Sequence, residues 1–180
     1  MKPIRVPATA EMVLAMAPRI RQADRDEVAA ASGMDAGEAL LIALMDSTRC
    51  DAWLVNDQPV AMAGVVPHPL YPTVGVIWML ATDEAERYPK HLVRGNREYV
   101  RSLLDDFHIV TNFVDNRNTK AQRWLQWLGF TLGAPQPFGV AQLPFRPFWM
   151  ENTGAPAARH GIGLSSTSPD CVEATPCVIP

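Results

Sequence analysis

The sequence predicts an α/β (α+β) fold with a mixed, mostly antiparallel sheet and helices on both faces, and three observations predict it. Two apolar extended runs, CDAWLVND and QPVAMAGVV, flank Asn56-Asp57, a pair that favours the tight turn of a hairpin. TVGVIWMLAT is the longest β-rich run of the chain. The third is HIVTNFVDNRNTKAQRWLQWLGF, which reads as a buried strand, a helix and a stop. Asn118 is placed to cap that helix with its side-chain oxygen. Ala121, Trp124, Leu125 and Leu128 recur at helical spacing as one apolar face, and Trp127 falls off it, where it suits a partner better than a core. Gly129 supplies the left-handed residue that ends the helix, and Phe130 opens the next extended segment.

The remaining elements follow in order. Ile4 to Val6 is a short first strand, and Thr9 caps AEMVLAMAPRI with Met12, Leu14 and Met16 turned inward. RQADRDEVAAASG is a second helix ending at Gly33, and Asp35 caps a third, AGEALLIALMDS. PHPLYP breaks the sheet pattern and makes a loop. YPKHLVRGNREYVRSLLDDF carries Pro89 in its first turn and aims Leu92, Tyr99, Leu103 and Leu104 at the core, with Gly95 allowing close packing. TLGAPQPFG and AQLPFRPFW pair as a last hairpin. Residues 1–150 therefore make one domain, and residues 151–180, rich in Gly, Pro, Ser, Thr and Ala, make a tail without a core of its own.

At 180 residues and 48% hydrophobic content the chain is long enough to bury a sizeable core. A net charge of -3 gives no basic footprint, which argues against nucleic acid as the main ligand. No window approaches the roughly 18 apolar residues of a membrane span, and MKPIRVPATAEM lacks the apolar core of a secretory signal, so a cytosolic protein is expected. Cys50, Cys171 and Cys177 are odd in number and lack metal-ligand spacing, so reduced thiols and no metal are expected.

The element order, with Asn118, Ala121, Gly129 and Phe130 in register, resembles the GNAT (Gcn5-related N-acetyltransferase) fold over about residues 3 to 150. Further local matches are the helix with Asp24-Arg25-Asp26-Glu27, the hairpin with Gly64 and the Trp78-Met79-Leu80 strand end. The resemblance implies an acetyl-CoA site in which Leu80, Thr82 and Asn118 border the pantetheine arm. The phosphate cradle would fall at Arg87-Tyr88-Pro89-Lys90-His91-Leu92, where only the arginine of the family pattern survives. Lys90 and Leu92 replace glycines that permit close backbone approach, and Pro89 removes an N–H donor. Arg87, Lys90, His91 and Arg94 put positive charge at the same helix start and offer side-chain contacts instead, although such cations also suit an ordinary solvated helix face.

The resemblance also implies an amine acceptor, small molecule or protein, and groups to manage its protons. Asp83, Glu84 and Glu86 after the long strand are the candidate bases, Glu84 and Glu86 foremost. The family tyrosine that protonates the leaving thiolate is replaced by Leu125, which leaves Tyr99 and Tyr88 as the substitutes. WMLATDEAERYP, the basic helix, NRNTKAQRWLQWLGF and PFRPF look like a family of small tailed-bacteriophage proteins described as internal virion or morphogenesis proteins and as acetyltransferases. Two functions stay open on that basis. One is an N-acyltransferase in the host cytoplasm; the other is a non-catalytic assembly component with phage structural proteins as partners, carried in the virion.

Overall fold

Hydrogen-bonding side chains at the helix starts and glycines at two helix ends set the boundaries of the elements. The structure, a computed structural model, describes residues 2–152, apart from the side chains of Val93 and Arg94. Strand β1 (Ile4–Pro7) leads to helix α1 (Ala10–Met16), where Thr9 accepts the Met12 N–H, then to a 3-10 turn and to α2 (Gln22–Ser32), closed by Gly33 at φ 77°. Helix α3 (Ala36–Asp46) starts at Asp35, whose carboxylate accepts the N–H groups of Gly37 and Glu38. Strands β2 (Arg49–Val55) and β3 (Gln58–Pro67) meet at Asn56 and Asp57, both at positive φ, as the hairpin reading expects. Then come β4 (Val74–Ala81), a 3-10 turn over Asp83–Arg87, α4 (Pro89–Leu103), β5 (Ile109–Asp115), α5 (Thr119–Leu128), β6 (Thr131–Leu132), β7 (Gln136–Phe138) and β8 (Leu143–Glu151).

The eight strands form one sheet in the order β1-β2-β3-β4-β5-β8-β6, with β7 paired to β8. Pairing is antiparallel except between β4 and β5, which run parallel. That parallel contact covers only Val74↔Ile109, Gly75↔Val110 and Val76↔Thr111. Beyond it the two strands part. The Asn112 side chain marks the parting by donating its amide N–H to the Ile77 carbonyl at 2.9 Å, where a backbone N–H would otherwise continue the ladder.

Strand alternation sends side chains into two separate cores. Met62, Trp78 and Leu80 pack under α1, α2 and α3, whereas Ala61, Ala63, Val65 and Ile77 pack under α4 and α5 with Tyr99, Leu103 and Leu128. Burying each large side chain of this kind is worth about 1.5–3 kcal/mol. The expected inward face of α1 shifts: Leu14 is 75% exposed, and Val13 with Met16 is buried instead, because helical spacing from Met16 selects Val13.

Helix α2 is also fastened at its C-terminal end. Val140 and Ala141, in the turn between β7 and β8, donate their N–H groups to the carbonyls of Ala31 and Ala30 at 3.0 and 3.1 Å. Gly139, at φ 71°, permits this approach, since a Cβ there would stand 2.5 Å from the Ala31 Cα. At the chain's far end β8 continues through Glu151, the first residue of the expected tail, and Asn152 donates to the Leu104 and His108 carbonyls. Cys171 and Cys177, with the rest of that tail from residue 153, lie outside the described residues.

Candidate functional site

Where β4 and β5 part, a cavity of about 450 Å³ opens through the sheet. Strand alternation explains part of its chemistry. Thr82 donates its N–H to the Val60 carbonyl, so with Ala61↔Ala81 and Ala63↔Met79 in register, Ile77, Met79 and Ala81 turn their backbone groups away from β3 and toward β5. Ile77 is met by Asn112, and Ala81 by α2. Met79 sits between them with its N–H and C=O directed into the gap, and no strand pairs with them among the described residues.

The two mouths differ. On the α4 and α5 side Leu92, Ala121, Trp124, Leu125 and Phe148 make an apolar slot, with the charged residues Glu86, Lys120 and Arg123 also lining the cavity. Toward α2 the walls are Arg21, Asp24, Glu27 and Asn118. Asp24 is buried, lies 2.9 Å from the Arg21 guanidinium and accepts the Ala81 N–H at 2.8 Å, while Arg21 donates its own N–H to the Ala81 carbonyl. Burial raises the Asp24 carboxyl above its ordinary range against the pull of Arg21. Three residues on, Glu27 accepts a hydrogen bond from Asn118 Nδ2 at 3.1 Å. Burial pushes Glu27 up to about 7, the Asn118 hydrogen bond opposes this, and the negative charge of Asp24 adds to it. Asn118 uses its other atom, Oδ1, to accept the Ala121 N–H at 3.1 Å as the α5 cap. One side chain thus fixes both the helix start and the carboxylate.

The residues singled out from sequence divide between this cavity and other places. Asn118, Leu80 and Glu86 line it. Glu86 is held 3.1 Å from Lys120, which joins the 3-10 turn to α5 across the rim. Thr82 is buried, with its hydroxyl donating to the Val60 carbonyl, and Glu84 pairs with Arg19 at 3.7 Å; neither lines the cavity. Tyr99 is 1% exposed and also outside it, with a hydroxyl facing the carbonyls of Arg49 and Ala63 and burial raising it above the ordinary phenol range. Arg87, Lys90 and His91 are exposed around the start of α4; the Arg94 side chain lies outside the described residues. Glu27 and Asp24 were missed as site residues. Their signal was available: on α2, positions 24, 27, 28 and 31 share one face, so two acids stand beside Val28 and Ala31 on a face that must be covered.

With this geometry in view, the fold is that of the GNAT acetyltransferases. The ribosomal-protein-alanine N-acetyltransferase from Brucella melitensis superposes with a TM-score of 0.64 at 13% identity, covering 83% of this chain and 99% of that one. The acetyltransferase of GNAT family from Streptococcus pneumoniae gives 0.57 at 12% identity, with 83% and 99% covered. A structure of AAC(6')-Ib in complex with ribostamycin and coenzyme A gives 0.63 at 13% identity, with 84% and 94% covered. No protein-family model and no curated protein sequence matches the chain.

The residues present fit the thioester arm of such a donor better than its phosphates. An extended arm can pair with the free Met79 backbone groups inside an apolar slot. At the start of α4 the amide donors are largely engaged: His91 and Leu92 donate to the Tyr88 carbonyl, Tyr88 donates to Ala85, and Pro89 has no N–H. The groups this helix start leaves for a phosphate are the exposed side chains of Arg87, Lys90 and His91, none of which lines the cavity. Among the described residues no cluster of His, Cys, Asp or Glu is arranged to hold a metal ion, and no single helix is long and apolar enough to cross a membrane.

Proposed function

We propose that the chain is an N-acyltransferase that moves an acyl group from an acyl-CoA thioester to the amine of a small cationic acceptor. The observation that carries this reading is the cavity itself, which joins an apolar slot on one face of the sheet to a paired-acid pocket on the other. A bound donor supplies an activated carbonyl carbon. The residues of the chain then have separable tasks: Met79 offers backbone hydrogen bonds that align an extended arm, and Leu92, Trp124 and Phe148 exclude water around it.

Glu27 is the base. A cationic amine is drawn to the acidic mouth, and Glu27, poised near neutral pH, takes its proton so that the nitrogen lone pair is free to attack. Asp24 stays tied to Arg21 and Ala81 and holds the mouth in shape. Leu125 brings no proton to the departing sulfur. The leaving group tolerates this, since a thiol with pKa about 8.5 departs readily as its anion. Aminoglycoside-like amines of the kind seen with AAC(6')-Ib are the first acceptors to screen.

The test is calorimetric titration with acetyl-CoA, followed by thiol release in the presence of a panel of amines. Binding together with amine-dependent thiol release is expected. If no thioester binds at millimolar concentration, the reading fails, and the chain is left as an assembly module of the kind implied by the phage resemblance.

A further inference from the structure

Behind the apolar slot lies a second, smaller chamber of about 50 Å³. It shares Ile77, Trp78, Met79, Trp124, Leu125 and Phe148 with the main cavity, so the two are neighbours across a common wall of side chains. Its far side is α4, which contributes Asn96, Tyr99 and Val100. Asn96 is 2% exposed, yet its Nδ2 has no hydrogen-bond partner. A buried amide donor left unpaired costs free energy, and such groups in native folds call for an explanation.

The surroundings narrow the explanation. Most of the wall is aliphatic or aromatic, and the Tyr99 hydroxyl is already directed at two backbone carbonyls. A water held by Asn96 would lack the two to four polar partners that buried waters normally have. An oxygen carried in on an apolar chain matches the chamber better: carbon meets the aromatic wall and oxygen meets Nδ2. No Lys, Arg or His lines the chamber, so a carboxylate would be buried without a counter-charge. The volume accommodates about three or four water-sized groups.

We propose that this chamber is an acyl subsite of the donor, selecting a short neutral acyl group that carries a hydroxyl or carbonyl oxygen, which Asn96 recognises by hydrogen bonding. The inference rests on the thioester reading above. It adds the class of acyl group, which the fold does not specify.

The experiment compares wild-type affinities for acetyl-, butyryl-, 3-hydroxybutyryl- and succinyl-pantetheine and for acetyl-CoA by calorimetry. The 3-hydroxybutyryl thioester should bind about tenfold more tightly than the butyryl one, and the succinyl thioester should bind least. In the Asn96→Leu variant the first ratio should shrink to within about twofold, and the ligand-free melting temperature should rise by roughly 3 °C because the unpaired donor is gone. Equal wild-type affinity for the hydroxylated and plain four-carbon thioesters overturns the subsite, as does a fall in melting temperature on Asn96→Leu. If that variant does not fold, the wild-type ratio still decides. Binding of acetyl-CoA without the hydroxyacyl preference defeats the subsite alone, whereas silence toward every thioester defeats the donor reading and this inference with it.

Discussion

The starts of α5 and α4 face the same cavity region but are built in opposite ways. At α5, Asn118 caps the helix, holds Glu27 and lines the cavity, so one residue serves the backbone, a carboxylate and the slot. At α4 there is no capping side chain, Pro89 withdraws a donor, and the neighbouring N–H groups are bonded internally. The α5 end is therefore built from part-buried, mutually oriented groups, and the α4 end from exposed charges. Oriented burial makes an interaction strong and specific, whereas exposed charges are screened and weak. Most of the energetic consequence of mutation should lie at the α5 end.

The largest expected effect is on catalysis. Glu27→Gln keeps the shape and the Asn118 contact but cannot accept the proton, so kcat/KM should fall by about 100- to 10,000-fold, with loss of the wild-type rise in rate through pH 7. An unchanged rate across pH 5–9 in the variant would remove Glu27 from the mechanism.

The second effect is on stability. A carboxyl raised from 4.5 to about 7 by folding makes the native state bind the extra proton between those values, so the stability that this group contributes is full below about pH 4.5 and is lost as pH rises through 7. This group alone should cost about 2–3 kcal/mol between pH 5 and 8, read by urea unfolding, and Glu27→Gln should flatten that slope. A wild-type slope of the opposite sign in that window, or one that the variant retains in full, would contradict the assignment.

Third, Asn118→Ala removes the cap and the hydrogen bond that holds Glu27 down. A loss of about 1–2 kcal/mol is expected, with the kinetic inflection moving to higher pH. A stability loss without movement of the inflection would make Asn118 a cap only. The smallest effect belongs to the α4 end, where Arg87→Glu with Lys90→Glu should weaken acetyl-CoA by about tenfold and leave acetyl-pantetheine within about twofold. A loss above about a thousandfold would reverse the ranking of the two helix starts.

The same contrast explains what was legible in the sequence. The elements whose boundaries rest on local chemistry were readable: the Asn118 cap, Gly129 at φ 106°, the positive-φ pair Asn56 and Asp57, the Asp35 cap and the exposed Trp127, which is 61% accessible. The element order and two-faced sheet followed from them. Glu27 was not legible as a site residue, because it meets Asn118 across 91 residues and its perturbation comes from burial by distant elements rather than from neighbours in sequence. Glu84 and Glu86 follow β4 directly and so are legible as acids near the strand end; in the fold Glu84 pairs with Arg19 and Glu86 with Lys120. Leu14 was misplaced for a simpler reason: α1 has only seven residues, too few for its apolar period to identify the buried stripe.

Helix α2 has a mechanical role that follows from its two fastenings. Near one end Asp24 grips Ala81 on the β4 half of the parted sheet; near the other Ala30 and Ala31 receive the turn that belongs to the β8 half. The helix is thus a tie-beam across the gap, about 10 Å between anchor points, or roughly two strand spacings. Glu27 sits at mid-span. Any widening of the gap strains this beam, so the position of Glu27 is tied to the spacing of the two sheet halves through the stiffness of a single helix.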